Sequence, residues 1–190
     1  MKKIIILAAA AFAFAACNNT NKKSTLTTET TAQDTIVYEH EYLVKVGDMA
    51  PDFTLLSTDS TEFSLSALRG KVVMLQFTAS WCGICRNEMP HIESRIWQPN
   101  KDNANFVLVG VDREETRETV EEYTAKIGTT YPMLLDEKGD VFASYALRKS
   151  GITRNVLIDR DGRIVKLTRR FEEAEFNDLV ATIDSLLAIQ

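Results

Sequence analysis

Strand-like and helix-like patterns alternate along the chain after residue 70. Short runs of apolar and β-branched residues predict strands, and apolar residues three or four apart predict helices. The predicted strands are 71–77, 106–111, 133–135, 155–158 and 163–167. One predicted helix begins near Cys82, two more span 114–127 and 141–147, and the last has an apolar face of Phe176, Leu179, Val180, Ile183 and Leu187.

The order of these elements predicts an α/β fold, a central mixed β-sheet flanked by helices. Asp161-Gly162 lies between two predicted strands and favours a tight hairpin. Partial alternation of apolar and polar residues over 36–46 predicts another strand, and therefore an N-terminal β extension. The sequence shows no internal repeat, so we expect residues 36–190 to form a single domain.

The N-terminal segment has the pattern of an export signal. Met1-Lys2-Lys3 is basic, and 4–16 is an apolar run that ends in small residues. This run is shorter than a membrane-spanning helix, so 1–16 is predicted to be a signal peptide. Residues 17–35 are rich in Asn, Thr, Lys and Ser, which predicts a flexible tether.

The end of the predicted signal peptide, Phe14-Ala15-Ala16-Cys17, resembles a bacterial lipobox. Phe14 stands where Leu is usual in that motif. The resemblance implies that Cys17 is lipidated and anchors the protein to a bacterial membrane, with the domain facing the periplasm. The alternative is plain secretion with a free Cys17.

The strongest chemical signal is Trp81-Cys82-Gly83-Ile84-Cys85, at a predicted strand-to-helix junction. A helix N-terminus favours a thiolate, so Cys82 is predicted to be the nucleophile. Cys85 lies one helical turn further on and is predicted to be the resolving thiol of a redox-active disulfide. The alternatives are a structural disulfide and a zinc site, which needs about four ligands.

Composition and net charge limit the kinds of partner that the protein is expected to bind. The chain is 45% hydrophobic and 26% charged, as expected for a globular domain, and its formal net charge is −5. Loss of Lys2 and Lys3 with the signal peptide makes that charge more negative, so no nucleic-acid role is indicated. The sequence implies no cofactor and no metal.

Several motifs together resemble the thioredoxin superfamily, specifically its TlpA-like/ResA-like membrane-anchored thiol–disulfide oxidoreductases. The resemblance covers about 47–187 and rests on 47–53, Trp81-Cys82-x-x-Cys85, Glu88, Pro90, Tyr131-Pro132 and 157–162. It implies a thioredoxin-like fold and an enzyme that exchanges protein disulfides. The expected partners are disulfide-containing envelope proteins and an upstream membrane electron donor, and we expect a monomer.

The same resemblance suggests further site residues. An acidic residue near the dithiol is typical of the family, so Glu88 is predicted to take the proton of Cys85 during resolution. Substrate contacts are expected at Trp81, Gly83, Ile84, Thr153 and Arg154.

Two positions depart from the family pattern. Ile84 replaces the Pro that often precedes the second cysteine, and Thr153 stands where a cis-Pro is usual. A cis bond before a residue other than proline costs about 3–4 kcal/mol, so we predict a trans bond at Thr153. The change is expected to alter substrate recognition and to leave the dithiol less shielded from metals.

Three other functions are compatible with parts of this pattern. Segment 47–53 also resembles the start of peroxiredoxin-like peroxidases, but their Pro-x-x-x-Thr/Ser-x-x-Cys motif would fall on Leu75, Ala79 and Cys82 and is absent. An envelope Cu(I) metallochaperone would use Cys82 and Cys85, without an obvious third ligand. A structural lipoprotein would have no need of an intact dithiol.

Overall fold

The computed structural model describes residues 39–189. The predicted signal peptide 1–16, the predicted lipidation site Cys17, the predicted tether 17–35 and the first residues of the predicted strand 36–46 lie outside this range. None of the helices in the described part of the chain has the length and apolar character needed to cross a membrane.

The described residues form seven strands and five α-helices. The strands are β1 (Thr54–Leu56), β2 (Glu62–Ser64), β3 (Val72–Thr78), β4 (Phe106–Arg113), β5 (Met133–Asp136), β6 (Arg154–Ile158) and β7 (Ile164–Arg169). The helices are α1 (Gly83–Ile92), α2 (Gln98–Asn100), α3 (Arg117–Ile127), α4 (Asp140–Tyr145) and α5 (Glu173–Ala188).

Five of the strands form the central sheet, in the order β5-β4-β3-β6-β7. β3, β4 and β5 are parallel, and β6 and β7 are antiparallel to their neighbours. β3 lies in the middle and every one of its residues is buried, which explains why its sequence is apolar except at Gln76 and Thr78. The predicted mixed sheet is therefore confirmed.

Apolar cores cover both faces of the sheet, as predicted. One core joins β3 and β6 to the packed aromatic rings of Phe77, Phe142 and Tyr145. The other joins α1, α3 and α5 to the opposite face of the same strands. Cys85, Met89, Ile92 and Ile96 lie three or four positions apart and are all buried in these cores.

The predicted strand at 36–46 is wrong for its described part. His40 and Glu41 have φ values of 50° and 65°, which a β-strand does not contain. Among the described residues, Tyr42 pairs through one isolated bridge, to Ala146. The N-terminal β extension is instead the antiparallel hairpin β1–β2.

Local backbone geometry shifts one helix boundary and alters one helix. α3 begins at Arg117, later than predicted, because Glu114 has a φ of 63° and the Thr116 side chain caps the helix. Gly128, with a φ of 83°, ends this helix as predicted. Pro90 does not stop α1, but a π-helical turn over Glu93–Trp97 follows it.

Candidate active site

The Cys82–Cys85 pair lies where the central strand β3 passes into α1. Cys82 is the residue immediately before the first residue of α1, and the structure contains a disulfide between Cys82 and Cys85. The backbone N–H of Cys85 donates to Sγ of Cys82 over 3.2 Å. Cys82 therefore caps the helix with its sulfur, where the helix dipole and a free N–H both stabilise negative charge.

The two sulfurs differ in their access to solvent. Cys82 is 7% exposed and Cys85 is 0% exposed. Trp81 is 56% exposed and Ile84 is 41% exposed, so large apolar side chains flank the accessible sulfur. Gly83 is exposed between them. Cys82 is thus the more accessible sulfur and Cys85 is fully enclosed, which agrees with a nucleophile at Cys82 and a resolving thiol at Cys85.

Thr153 lies directly against the disulfide. Its Oγ1 is 3.2 Å from Sγ of Cys82 and 3.2 Å from Sγ of Cys85. The described residues contain no cis peptide bond, so the predicted trans bond at Thr153 is confirmed. The Thr153 side chain is buried. It faces the two sulfurs, and its predicted contact with substrate stays a prediction.

Arg154 is not a substrate-facing residue, contrary to our prediction. It is 0% exposed, and its guanidinium stacks 4.3 Å from the centre of the Tyr42 ring. Its Nη2 donates to Oγ of Ser150 over 2.9 Å and lies 3.8 Å from a carboxylate oxygen of Glu41. The buried guanidinium therefore links the start of β6 to Tyr42 and Glu41 of the N-terminal segment.

Glu88 is buried on α1, one helical turn beyond Cys85. It is 1% exposed, and its Oε1 accepts a hydrogen bond of 2.7 Å from Nδ2 of Asn155 on β6. Burial raises the pKa of Glu88 to about 7, and the hydrogen bond from Asn155 opposes this rise. A carboxyl group that titrates near neutral pH is suited to proton transfer.

Asn155 belongs to a buried polar cluster that the sequence analysis missed. Its Nδ2 also donates to Oγ1 of Thr168 over 2.9 Å. Gln76 on β3 lies opposite Asn155 in the sheet and accepts a hydrogen bond from the Tyr131 hydroxyl. The available signal was a polar residue inside an otherwise apolar strand.

Glu115, just after β4, forms hydrogen bonds with the loop that precedes Cys82, and Asp112 on β4 is buried beside it. The Glu115 carboxylate accepts hydrogen bonds from the backbone N–H of Ser80 over 2.6 Å and from its hydroxyl over 2.5 Å. Asp112 is buried beside Glu115, and burial together with this neighbouring charge raises the pKa of Asp112 to about 8. We did not predict these residues, because they are far from the dithiol in sequence.

The guanidinium of Arg113 packs against the ring of the exposed Trp81. Its guanidinium carbon lies 5.4 Å from the centre of a Trp81 ring and 4.6 Å from that of Phe142. The cation thus lies against an exposed and a buried aromatic ring, and Nη1 donates to the carbonyl oxygen of Arg148 over 3.2 Å. These contacts orient Trp81 beside the accessible sulfur.

Comparison with known proteins identifies relatives of this chain. The Redoxin family model matches residues 45–183. The thiol-disulfide oxidoreductase ResA of Geobacillus thermodenitrificans is 32% identical over 124 residues, which are 65% of this chain and 69% of that protein.

Solved structures of thiol–disulfide exchange proteins also resemble this chain. A solution structure from Bacteroides thetaiotaomicron, provisionally described as a protein disulfide isomerase, is 59% identical with a TM-score of 0.76 and covers 77% of this chain and 92% of that chain. A crystal structure from Chlorobium tepidum, provisionally described as the thiol:disulfide interchange protein DsbE, is 26% identical with a TM-score of 0.65. The match covers 76% of this chain and 99% of that chain. The chain therefore belongs to the Redoxin family and has a thioredoxin-like fold.

Proposed function

We propose that this thiol–disulfide oxidoreductase reduces disulfides in proteins outside the cytoplasm. The observation that carries the proposal is the difference between the two sulfurs. Cys82 is the more accessible of the two and lies at a helix N-terminus, whereas Cys85 is fully enclosed one turn further on. An accessible, electrostatically stabilised thiolate can attack a partner, and an enclosed thiol beside it can resolve the product.

The first step joins enzyme and partner. In the reduced enzyme the Cys82 thiolate attacks one sulfur of a partner disulfide. The partner's S–S bond breaks, a mixed disulfide forms at Cys82, and the other partner sulfur leaves as a thiolate. Exposed Trp81 and Ile84 give the partner chain an apolar surface beside the reacting sulfur.

The second step releases the reduced partner. The Cys85 thiol passes its proton to the Glu88 carboxylate, and the resulting thiolate attacks Sγ of Cys82. The mixed disulfide breaks, the second partner sulfur leaves as a thiolate, and the Cys82–Cys85 disulfide forms. The partner has gained two electrons, so an upstream membrane dithiol donor must return two electrons to the enzyme.

The proposed location rests on the N-terminal sequence. A basic start, an apolar run and Cys17 after two alanines support export, lipidation at Cys17 and anchoring to a bacterial membrane with the domain in the periplasm. Growth with a labelled fatty acid tests this. The full chain is expected to take up label and fractionate with membranes, and Cys17→Ala is expected to remove the label; an unlabelled wild-type chain would contradict lipidation.

Insulin reduction with a chemical dithiol as donor tests the assigned chemistry. Cys82→Ser is expected to abolish catalysis, because no other thiol can start the exchange. Cys85→Ser is expected to retain the first step and to accumulate a mixed disulfide, which mass spectrometry can locate at Cys82. Wild-type turnover in Cys82→Ser would refute the assignment.

Three further measurements separate the remaining functions. A reduction potential of about −270 mV supports a reductant, and one of about −120 mV supports an oxidant. Peroxide consumption far faster than that of free cysteine would indicate a peroxidase, and tight Cu(I) binding by the reduced protein a metallochaperone. Within residues 39–189 no three His, Cys, Asp or Glu side chains are grouped as a metal site.

A further inference from the structure

The Thr153 hydroxyl contacts both reacting atoms of the site. Oγ1 lies 3.2 Å from each of the two sulfurs, and the Thr153 side chain is buried. Neither sulfur of a disulfide carries a proton, so the hydroxyl is the donor in both contacts. One hydroxyl proton serves two sulfurs at equal distance, and rotation about the C–O bond can direct it to either.

The backbone around Thr153 holds this hydroxyl in place. Its carbonyl oxygen accepts the backbone N–H of Arg170 over 3.2 Å and Nη1 of Arg169 over 3.3 Å. The next residue, Arg154, pairs with Phe77 at the end of β3, the strand that leads to the dithiol. A donor fixed in this way needs little reorganisation when charge develops on a neighbouring sulfur.

We propose that Thr153 is a catalytic residue whose hydroxyl donates its hydrogen bond to whichever of the two sulfurs carries the negative charge. This inference rests on the proposed role of Cys82 as the attacking thiol. In the reduced enzyme the hydroxyl stabilises the Cys82 thiolate together with the backbone N–H of Cys85. In the mixed disulfide Cys82 is neutral, and the hydroxyl turns to the thiolate that forms at Cys85.

The hydroxyl keeps its proton throughout, so the electron and proton balance of the exchange is unchanged. Its contribution is greatest at Cys85, for which the described contacts offer no backbone N–H donor to the sulfur. A proline at this position has no donor to offer. The Thr153 side chain therefore adds a charge-assisted hydrogen bond to both steps of the reaction.

Matched substitutions at Thr153 separate the hydroxyl from the space it fills. Thr153→Val keeps the shape and removes the donor, whereas Thr153→Ser keeps the donor and removes a methyl group. The pKa of each cysteine is measured in the reduced protein from the pH dependence of iodoacetamide alkylation, with the modified cysteine located by mass spectrometry. Thr153→Val is expected to raise the Cys82 pKa by about 1 unit, and Thr153→Ser to leave it within a few tenths of wild type.

The outcomes are distinguishable. A Cys82 pKa in Thr153→Val equal to that of wild type, or an equal shift in the Ser and Val variants, would overturn the role of the hydroxyl. Faster alkylation of Cys85 than of Cys82 in the wild type would overturn the proposed function itself. Thermal unfolding of the oxidised proteins checks the fold, and Thr153→Ala, which also lacks the donor, replaces Val if that variant does not fold.

Discussion

The side-chain amide of Asn155 on β6 donates a 2.7 Å hydrogen bond to the carboxylate of Glu88 on α1. The bond favours the ionised carboxylate, and burial favours the protonated one. Burial has the larger effect, so the pKa of Glu88 is about 7 rather than near 4.5. Glu88 is consequently present in both protonation states at neutral pH, within one helical turn of Cys85.

Loss of the Glu88 carboxylate is expected to slow resolution. Glu88→Gln keeps the size of the side chain and removes the proton acceptor, so release of the partner should slow by about 100-fold while the attack by Cys82 stays fast. Stopped-flow measurement of both steps with a disulfide peptide checks this. Glu121→Gln, on the exposed part of α3, is the control. Equal resolution rates in Glu88→Gln and wild type would rule out the assigned role.

Removal of the Asn155 donor is expected to move the pH dependence of resolution upward. In wild type the rate should rise with pH through about 7, because the base must be ionised. Asn155→Leu leaves the carboxylate buried without its hydrogen bond, so the pKa of Glu88 and the midpoint of the rate profile should both rise. The double variant with Glu88→Gln should lack this midpoint. A profile in Asn155→Leu centred at or below that of wild type would contradict the argument.

Asp112 is expected to make stability fall as pH rises. Its pKa is about 8 in the folded state against 3.8 ordinarily, so between these values the unfolded chain is ionised while the folded protein stays protonated. Folding then requires proton uptake, which lowers stability by up to ~1.4 kcal/mol per pH unit in that window.

Asp112→Asn removes this pH dependence and tests it. The variant should gain stability over wild type progressively from pH 5 to pH 8, by at least ~1 kcal/mol, as measured by urea unfolding. Asp102→Asn, at an exposed position, is the control and should show no such trend. A stability difference between Asp112→Asn and wild type that does not change with pH would contradict the raised pKa.

The buried Arg154 is expected to stabilise the fold through the N-terminal segment. Arg154→Ala removes a large enclosed side chain stacked on Tyr42, and should lower the free energy of unfolding by about 2–4 kcal/mol. Tyr42→Phe keeps the ring but removes the hydroxyl that donates to the carbonyl oxygen of Thr168 over 2.6 Å, and should lower it by about 1–2 kcal/mol. Urea unfolding of the oxidised proteins compares them, and a larger loss in Tyr42→Phe would contradict this ranking.

Elements with strong local patterns were predicted well. The apolar run of β3 and the junction at Cys82 could be predicted from local residue patterns, because strand length, helix spacing and capping depend on neighbours in sequence. The segment 36–46 shows where such a signal fails. Its alternation predicted a strand, yet left-handed conformations at His40 and Glu41 interrupt it. The ring of Tyr42 packs instead against the guanidinium of Arg154, which is distant in sequence.

The sequence by itself determined the dithiol at a helix start and the order of strands and helices along the chain, because both follow from local periodicities and neighbouring residues. Only the tertiary structure decided what surrounds the sulfurs. Thr153, Asn155 and Glu115 reach the site from distant elements, and burial, which depends on every packed layer, sets the protonation of Glu88 and Asp112. Local sequence specifies backbone conformation, whereas desolvation and long-range hydrogen bonds exist only once the sheet and helices have packed.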